Sequence, residues 1–220
     1  MSRFAVMRVL SVNVGRPERI AWGGREMTTG INKRPVDGPV WIGRLGLDGD
    51  VQVDRKVHGG EGKAVYIYPA QHYAFWRRDL GIPDLSYGAF GENLTVDGLD
   101  EAGMHVGDEL RVGSATLIVR EPRLPCNTLA TRMQRADMQK RFLRSGRTGF
   151  YLSVAYEGEV QVGDAVAVVK REPAAVRIAD LVAYRVEKGG SEDLWRRALE
   201  TDALPEGWRR EFTHRVTERQ

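Results

Sequence analysis

Cys126 is the single cysteine of this 220-residue chain, and it sits in Arg123-Leu124-Pro125-Cys126-Asn127 at the edge of a markedly basic stretch. A lone thiol forms no internal disulfide, so it packs, attacks as a nucleophile or ligates a metal. Over residues 120–147 the cations Arg120, Arg123, Arg132, Arg135, Lys140, Arg141, Arg144 and Arg147 face only Glu121 and Asp137. Cations near a thiol favour the thiolate, which is both the nucleophilic and the soft, metal-binding form. Free cysteine is also among the most buried residue types, so this segment alone leaves a packing role open.

Four other segments carry groups able to do chemistry. Thr29-Gly30-Ile31-Asn32-Lys33-Arg34-Pro35-Val36 joins two adjacent cations to a glycine loop. His58-Gly59-Gly60 places a ring nitrogen beside backbone that can approach a ligand closely. Gly91-Glu92-Asn93-Leu94 offers a carboxylate and an amide, and Arg147-Thr148-Gly149-Phe150-Tyr151 a cation and a phenol. Each segment also has a plain structural reading, as a turn, a satisfied histidine or a surface ion pair.

The elements that must hold these groups read as short strands separated by glycine turns. Residues 8–14, 64–68, 114–120 and 166–169 are rich in β-branched or aromatic residues. Pro125 biases Leu124 toward extended backbone and ends the strand over 114–120, which places the thiol on a loop. Gly107-Asp108 and Gly163-Asp164, with Gly49-Asp50 as a weaker third case, read as tight corners needing positive φ at glycine. Many short strands with such corners predict a β-barrel rather than an open α/β sheet. Two helices interrupt it, over residues 69–80 with Pro69 in the first turn, and over 128–143 with Leu129, Met133 and Ala136 on one face.

Composition bounds the rest. The charge of +3 is spread over 33 basic and 30 acidic residues, too balanced to indicate nucleic acid. No apolar run reaches the ~20 residues of a membrane span. With one cysteine and Arg8 interrupting the apolar N-terminal residues, a cytoplasmic location is expected. Residues 174–220 hold nine basic and nine acidic side chains, which marks a boundary after Pro173: a barrel over 1–173, then a small unit over 174–220. Three helices are legible in that unit, over 176–185, over 192–199 behind a Ser191 cap, and over 206–216 with Leu204, Trp208 and Phe212 on one stripe. So short a piece is expected to bury its aromatic residues on the barrel or on a second subunit.

In order and separation, the segments resemble the MOSC family, the domain shared with the C-terminus of molybdenum cofactor sulfurase. The resemblance rests on Lys33-Arg34-Pro35-Val36, Gly46-Leu47 with Gly49-Asp50, His58-Gly59-Gly60, Ala64-Val65-Tyr66 and Gly91-Glu92-Asn93-Leu94. It continues through Val106-Gly107-Asp108, Arg123 with Pro125-Cys126, and Arg147 with Gly149 and Tyr151, and spans residues 7–171. The C-terminal trio of helices resembles that of the bacterial 6-hydroxyaminopurine reductases. The resemblance implies a mainly β, α+β fold whose β-barrel holds the molybdenum cofactor, with the family cysteine, here Cys126, on the metal. Within that reading Lys33, Arg34, His58, Gly59, Gly60, Asn93, Arg123 and Arg147 are candidate cofactor-binding residues, and His58, Glu92 and Tyr151 join Cys126 as candidate catalytic groups that donate protons or anchor substrate.

The activity so implied is reduction of N-hydroxylated compounds, 6-hydroxyaminopurine being the reference substrate, in the detoxification of mutagenic base analogues. No flavin, haem or iron–sulfur motif is visible, so a separate flavin-containing reductase is the expected electron donor, and a homodimer is left open. Two rival readings are a sulfur carrier with a persulfide on Cys126 and a non-catalytic pterin-binding module. A pyridoxal phosphate enzyme would need a Schiff-base lysine, for which Lys33 and Lys63 are the lysines near the motifs.

Overall fold

The computed structural model describes residues 7–53 and 59–218. The strands are β1 (Met7–Val14), β2 (Glu18–Trp22), β3 (Arg25–Thr29), β4 (Arg34–Pro35), β5 (Val40–Gly43), β6 (Gly46–Leu47), β7 (Val65–Pro69), β8 (Leu94–Asp97), β9 (Glu109–Val112), β10 (Ala115–Pro122), β11 (Phe150–Tyr156), β12 (Gly158–Val160) and β13 (Ala165–Lys170). The helices are α1 (His72–Leu80), α2 (Asn127–Met133), α3 (Met138–Arg144), α4 (Ile178–Glu187), α5 (Glu192–Glu200) and α6 (Glu206–Thr217). The pairing order β13-β9-β10-β11-β7-β8-β1 closes on itself because β1 also pairs with β13. The fold is therefore mixed α and β, a seven-stranded barrel carrying C-terminal helices. Among the described residues β7 and β8 run parallel and the other barrel pairings are antiparallel.

Register decides which side chains fill the barrel. Phe150 pairs with Ile67, Leu152 with Val65 and with Val119, so this row points one way into a fully buried apolar core. The intervening row, Tyr66 opposite Tyr151 opposite Glu121, points the other way, outside the wall. The barrel interior is thus packed with aliphatic and aromatic side chains, and functional groups lie on its outer face. A second core covers part of that face, where Tyr68, Tyr73, Trp76, Phe90 and Phe142 stack beneath α1 and α3.

All three glycine-aspartate corners have positive φ at glycine, 80° at Gly49, 92° at Gly107 and 93° at Gly163. In each, the aspartate accepts a backbone N–H: Asp108 from His105 at 2.9 Å, Asp164 from Gln161 at 2.9 Å and Asp50 from Gly15 at 2.8 Å.

Two helix expectations need correction. Pro69 does not open α1; it ends β7 opposite Val96, and the helix begins at His72. Proline can close a strand because its missing N–H costs nothing at the last ladder position. The helix expected over 128–143 is two helices, broken where Gln134 takes a left-handed φ of 52°. Arg135 N–H then donates to the Ala130 carbonyl at 3.1 Å and Gln134 N–H to Thr131 at 3.2 Å, a Schellman-type ending. The break lets Leu129, Met133, Met138 and Phe142 all reach the aromatic core and leaves Ala136 exposed.

The C-terminal helices form close to their expected bounds, and Ser191 Oγ accepts from Leu194 N–H at 3.1 Å as the cap of α5. They pack on the barrel: Val176, Leu181, Trp208 and Phe212 belong to the same buried core as the barrel strands. Val106 N–H donates to the Val176 carbonyl and Ile178 N–H to Met104, each at 2.9 Å, so backbone ladders tie the unit down at its root. No helix among the described residues is long and apolar enough to cross a membrane.

Candidate functional site

The outward row Tyr66 and Tyr151 forms one wall of a cavity of about 250 Å³. The end of the β2–β3 hairpin, from Met27 to Gly30, forms another wall, and Asp50 to Val53 and the start of α2 complete it. Close backbone approach fixes the loop there. A Cβ on Gly30 would lie 2.3 Å from the Val51 carbonyl oxygen, and one on Gly15 would lie 2.2 Å from that of Gly30. Three backbone segments can meet at that spacing only because two of them carry glycine.

Cys126, Arg123, Lys33, Asn93 and Tyr151 all line this cavity. Cys126 is partly exposed and in extended backbone just before α2, with its carbonyl accepting the Leu129 N–H at 3.1 Å. Arg123 follows β10 and is only 5% exposed. Its guanidinium lies 5.5 Å from the Tyr66 ring centre and 5.2 Å from that of Phe142, and its Nη1 is buried with no hydrogen-bond partner. Burial works against the charge of Arg123, but the Tyr66 and Tyr151 phenols and the Cys126 thiol outweigh it and hold its pKa above the usual value. Burial raises the Tyr151 phenol, against the pull of Arg123, so the hydroxyl keeps its proton at neutral pH.

Lys33 and Asp50 form a buried ion pair, their side chains 9% and 3% exposed. Desolvation depresses the Lys33 pKa, and the neighbouring Asp50 carboxylate opposes that effect. Asp50 also accepts from Asn93 Nδ2 at 2.9 Å, while Asn93 Oδ1 accepts the Tyr66 N–H at 3.1 Å. Asn93 therefore staples the site loop to strand β7. Lys63, on the opposite wall, pairs with Glu121 at 3.5 Å and sits 5.7 Å from the Tyr151 ring centre.

Other expected site residues lie elsewhere. Arg34 follows Lys33 but points outward, 76% exposed and paired with Glu18 at 3.1 Å. Arg147 stacks 4.2 Å over Phe75 and donates to the Ser145 carbonyl at 2.9 Å, outside the cavity lining. Gly59 and Gly60 do not line the cavity, though Gly60 N–H donates to Gln52, which does. His58 lies outside the described residues. Glu92 is fully buried behind the wall, accepting from Tyr73 Oη, Gly88 N–H at 2.8 Å, Phe90 N–H at 3.1 Å and Thr95 Oγ1 at 3.0 Å. Burial raises the Glu92 pKa and those donors oppose the rise.

Four converging donors give Glu92 a folding role. Glu92→Gln turns an NH₂ group toward at least one of them and is expected to lower stability by about 2 kcal/mol. Chemical denaturation at unchanged m-value is the measurement. A normal midpoint with lost turnover would instead place Glu92 in the chemistry.

Sequence reading did not single out Asp50, Lys63, Tyr66 or Phe90 as lining residues. Asp50 carries a signal, a third Gly-Asp corner near two cations; Tyr66 reads as a strand residue, and Phe90 carries no signal of its own. Among the described residues no three His, Cys, Asp or Glu side chains converge.

Residues 54–167 match the MOSC domain. An uncharacterised protein of Bacillus subtilis strain 168, YflK, is 40% identical over 206 residues, covering 93% of this chain and 92% of the relative. The crystal structure of YiiM from Geobacillus stearothermophilus superposes with a TM-score of 0.80 at 33% identity, over 96% of this chain and 99% of that one. A protein of Gibberella moniliformis named a reductase is 36% identical over 166 residues, which are 74% of this chain but only 29% of the fungal protein. With the closed barrel, the outer-wall cavity and these likenesses together, the chain is a member of the MOSC domain family.

Proposed function

We propose that this chain is a molybdenum-cofactor-dependent reductase of N-hydroxylated compounds of the 6-hydroxyaminopurine type, acting in detoxification of mutagenic base analogues. The observation that carries the reading is the buried Arg123 guanidinium, with Nη1 unpartnered, in the same cavity as the Cys126 thiol. A buried cationic donor without a partner is costly, and an anionic ligand is the natural group to satisfy it. The relative named a reductase supports the redox class.

When bound, the cofactor supplies the metal centre and the two-electron couple for the overall conversion of R–NH–OH, two electrons and two protons to R–NH₂ and water. Cys126 provides a soft thiolate ligand suited to a thiophilic metal. Arg123 holds anionic charge, and it is the lining cation without a carboxylate partner among the described residues, since Lys33 is committed to Asp50 and Lys63 to Glu121. Tyr66 and Phe90 add aromatic rings to the lining. Tyr151 holds a proton on Oη, beside Arg123, for delivery within the cavity. In this reading a separate flavin-containing reductase supplies the electrons.

Protein produced in a host that makes the cofactor is expected to contain molybdenum and to reduce 6-hydroxyaminopurine to the 6-amino compound with an artificial donor. Metal-free protein carrying cyanide-labile sulfur on Cys126 would replace this reading with sulfur transfer. Arg123→Gln is expected to weaken cofactor retention about 10- to 100-fold. Thermal unfolding of the cofactor-free variant separates this effect from a folding defect, since the substitution also takes the guanidinium from the Tyr66 and Phe142 rings. Equal retention in variant and parent would remove Arg123 from the site.

A further inference from the structure

A second concavity, a groove of about 460 Å³, runs between α3 and α4. Its floor is apolar, formed by Leu124, Leu143 and Val186, the last 39% exposed. Its rim carries Lys140, Arg144, Arg185 and Lys188 and no carboxylate. Arg185 pairs with Glu211 at 2.7 Å, whereas Lys140, Arg144 and Lys188 make no ion pair among the described residues.

Helix ends account for part of this pattern. Arg144 lies in the last turn of α3 and Lys188 caps α4, where cations meet the negative pole. Lys140 lies in the first turn of α3, where a cation opposes the dipole, so intramolecular electrostatics does not explain it. Unpaired cations around an exposed apolar floor match a protein contact with an apolar centre and a charged rim.

The groove also abuts the cavity. Leu124 and Pro125 belong to the groove and Cys126 to the cavity, so one loop separates the two. A second connection runs from Arg185, stacked 3.9 Å over Trp208, through Trp208 Nε1–H donating to Glu121 at 2.9 Å, to Lys63 on the cavity wall.

We propose that this groove docks the acidic surface of the protein that delivers electrons to the cavity. The inference rests on the reductase reading, because that reading requires a donor outside the chain. The donor's reduced flavin is oxidised by two electrons; these electrons and two protons break the substrate N–O bond and leave amine and water.

The test is the triple variant Lys140→Glu/Arg144→Glu/Lys188→Glu, with all three positions on the surface. Flavodoxin, a small acidic flavoprotein, serves as the protein probe and reduced benzyl viologen as a donor that needs no docking. Titration with flavodoxin at low ionic strength is expected to give a Kd at least about tenfold weaker for the variant, with binding by the parent falling as salt rises. Viologen-driven turnover of cofactor-loaded protein should be unchanged while flavodoxin-driven turnover falls. Equal Kd in parent and variant, or salt-independent binding, would overturn the proposal. Self-association of the parent that the variant abolishes would also overturn it, by assigning the groove to a second copy of the chain. A loaded parent inactive even with viologen would count against the reductase reading, while the titration still decides whether the groove binds an acidic protein.

Discussion

Cys126→Ser is expected to fold normally, to lose molybdenum on purification from a cofactor-producing host, and to lose turnover by about 100-fold or more. The sulfur is partly exposed at the cavity wall and sits in ordinary extended backbone, so removing it creates no buried void and strains nothing. The hydroxyl is a harder donor and far less acidic than a thiol, so at neutral pH it offers neither the charge nor the softness of a thiolate. Metal analysis, turnover with an artificial donor and thermal unfolding, taken on the same preparations, separate the outcomes. Unchanged metal and turnover would return Cys126 to a packing role. A large drop in unfolding temperature in the absence of cofactor would show that the sulfur supports the fold.

The barrel was legible because its signals are local. Glycine-aspartate corners set positive φ, β-branched runs set strands, and a serine cap with a Leu204, Trp208, Phe212 stripe set the terminal helices. The side of the wall that each strand residue faces was not legible, because it depends on register across three strands. Tyr66 reads as an ordinary strand aromatic, and Tyr151, expected to act at the site, is not placed beside it until β7 and β11 are paired. Closure of the barrel then turns their row outward and leaves the aliphatic row inside. Proline at 69 and the long periodic run after Cys126 misled for a related reason: both satisfy helix rules locally, and tertiary pairing with Val96 and packing on the aromatic core override them.

Alternation explains the site in the same way. Lys33 and Arg34 are adjacent cations in the sequence, yet one is buried on Asp50 and the other lies in solvent on Glu18. Glu92 and Asn93 are adjacent too, and they diverge, the carboxylate into a cage of donors behind the wall and the amide toward Asp50. A motif names both members of each pair, and only the backbone direction says which one reaches the cavity. Arg147 shows the further limit that a cation near the motifs can be spent on a ring, here Phe75.

The second large effect concerns Asp50. Asp50→Asn keeps the shape of the side chain but leaves the Lys33 ammonium buried without a counter-charge, and is expected to cost about 3 to 5 kcal/mol. The sign with pH follows from the direction of the Lys33 shift. Burial already holds its folded pKa below the ordinary lysine value of 10.5, and loss of the carboxylate lowers it further. The unfolded chain then binds a proton that the folded chain resists, so stability rises as pH climbs toward 10.5 and falls as pH drops toward the folded pKa. The deficit of Asp50→Asn should therefore be larger at neutral pH than in alkaline solution, as read by denaturation across that range. Lys33→Met combined with Asp50→Asn removes both charges, keeps a side-chain oxygen to accept the Gly15 N–H, and should recover part of the stability, since breaking a buried pair costs more than removing both of its charges. The same double variant then separates folding from function. If Lys33 holds anionic charge of a bound cofactor, the protein will be stable but retain molybdenum poorly; if retention matches the parent, the pair serves the fold alone and Arg123 carries the anion.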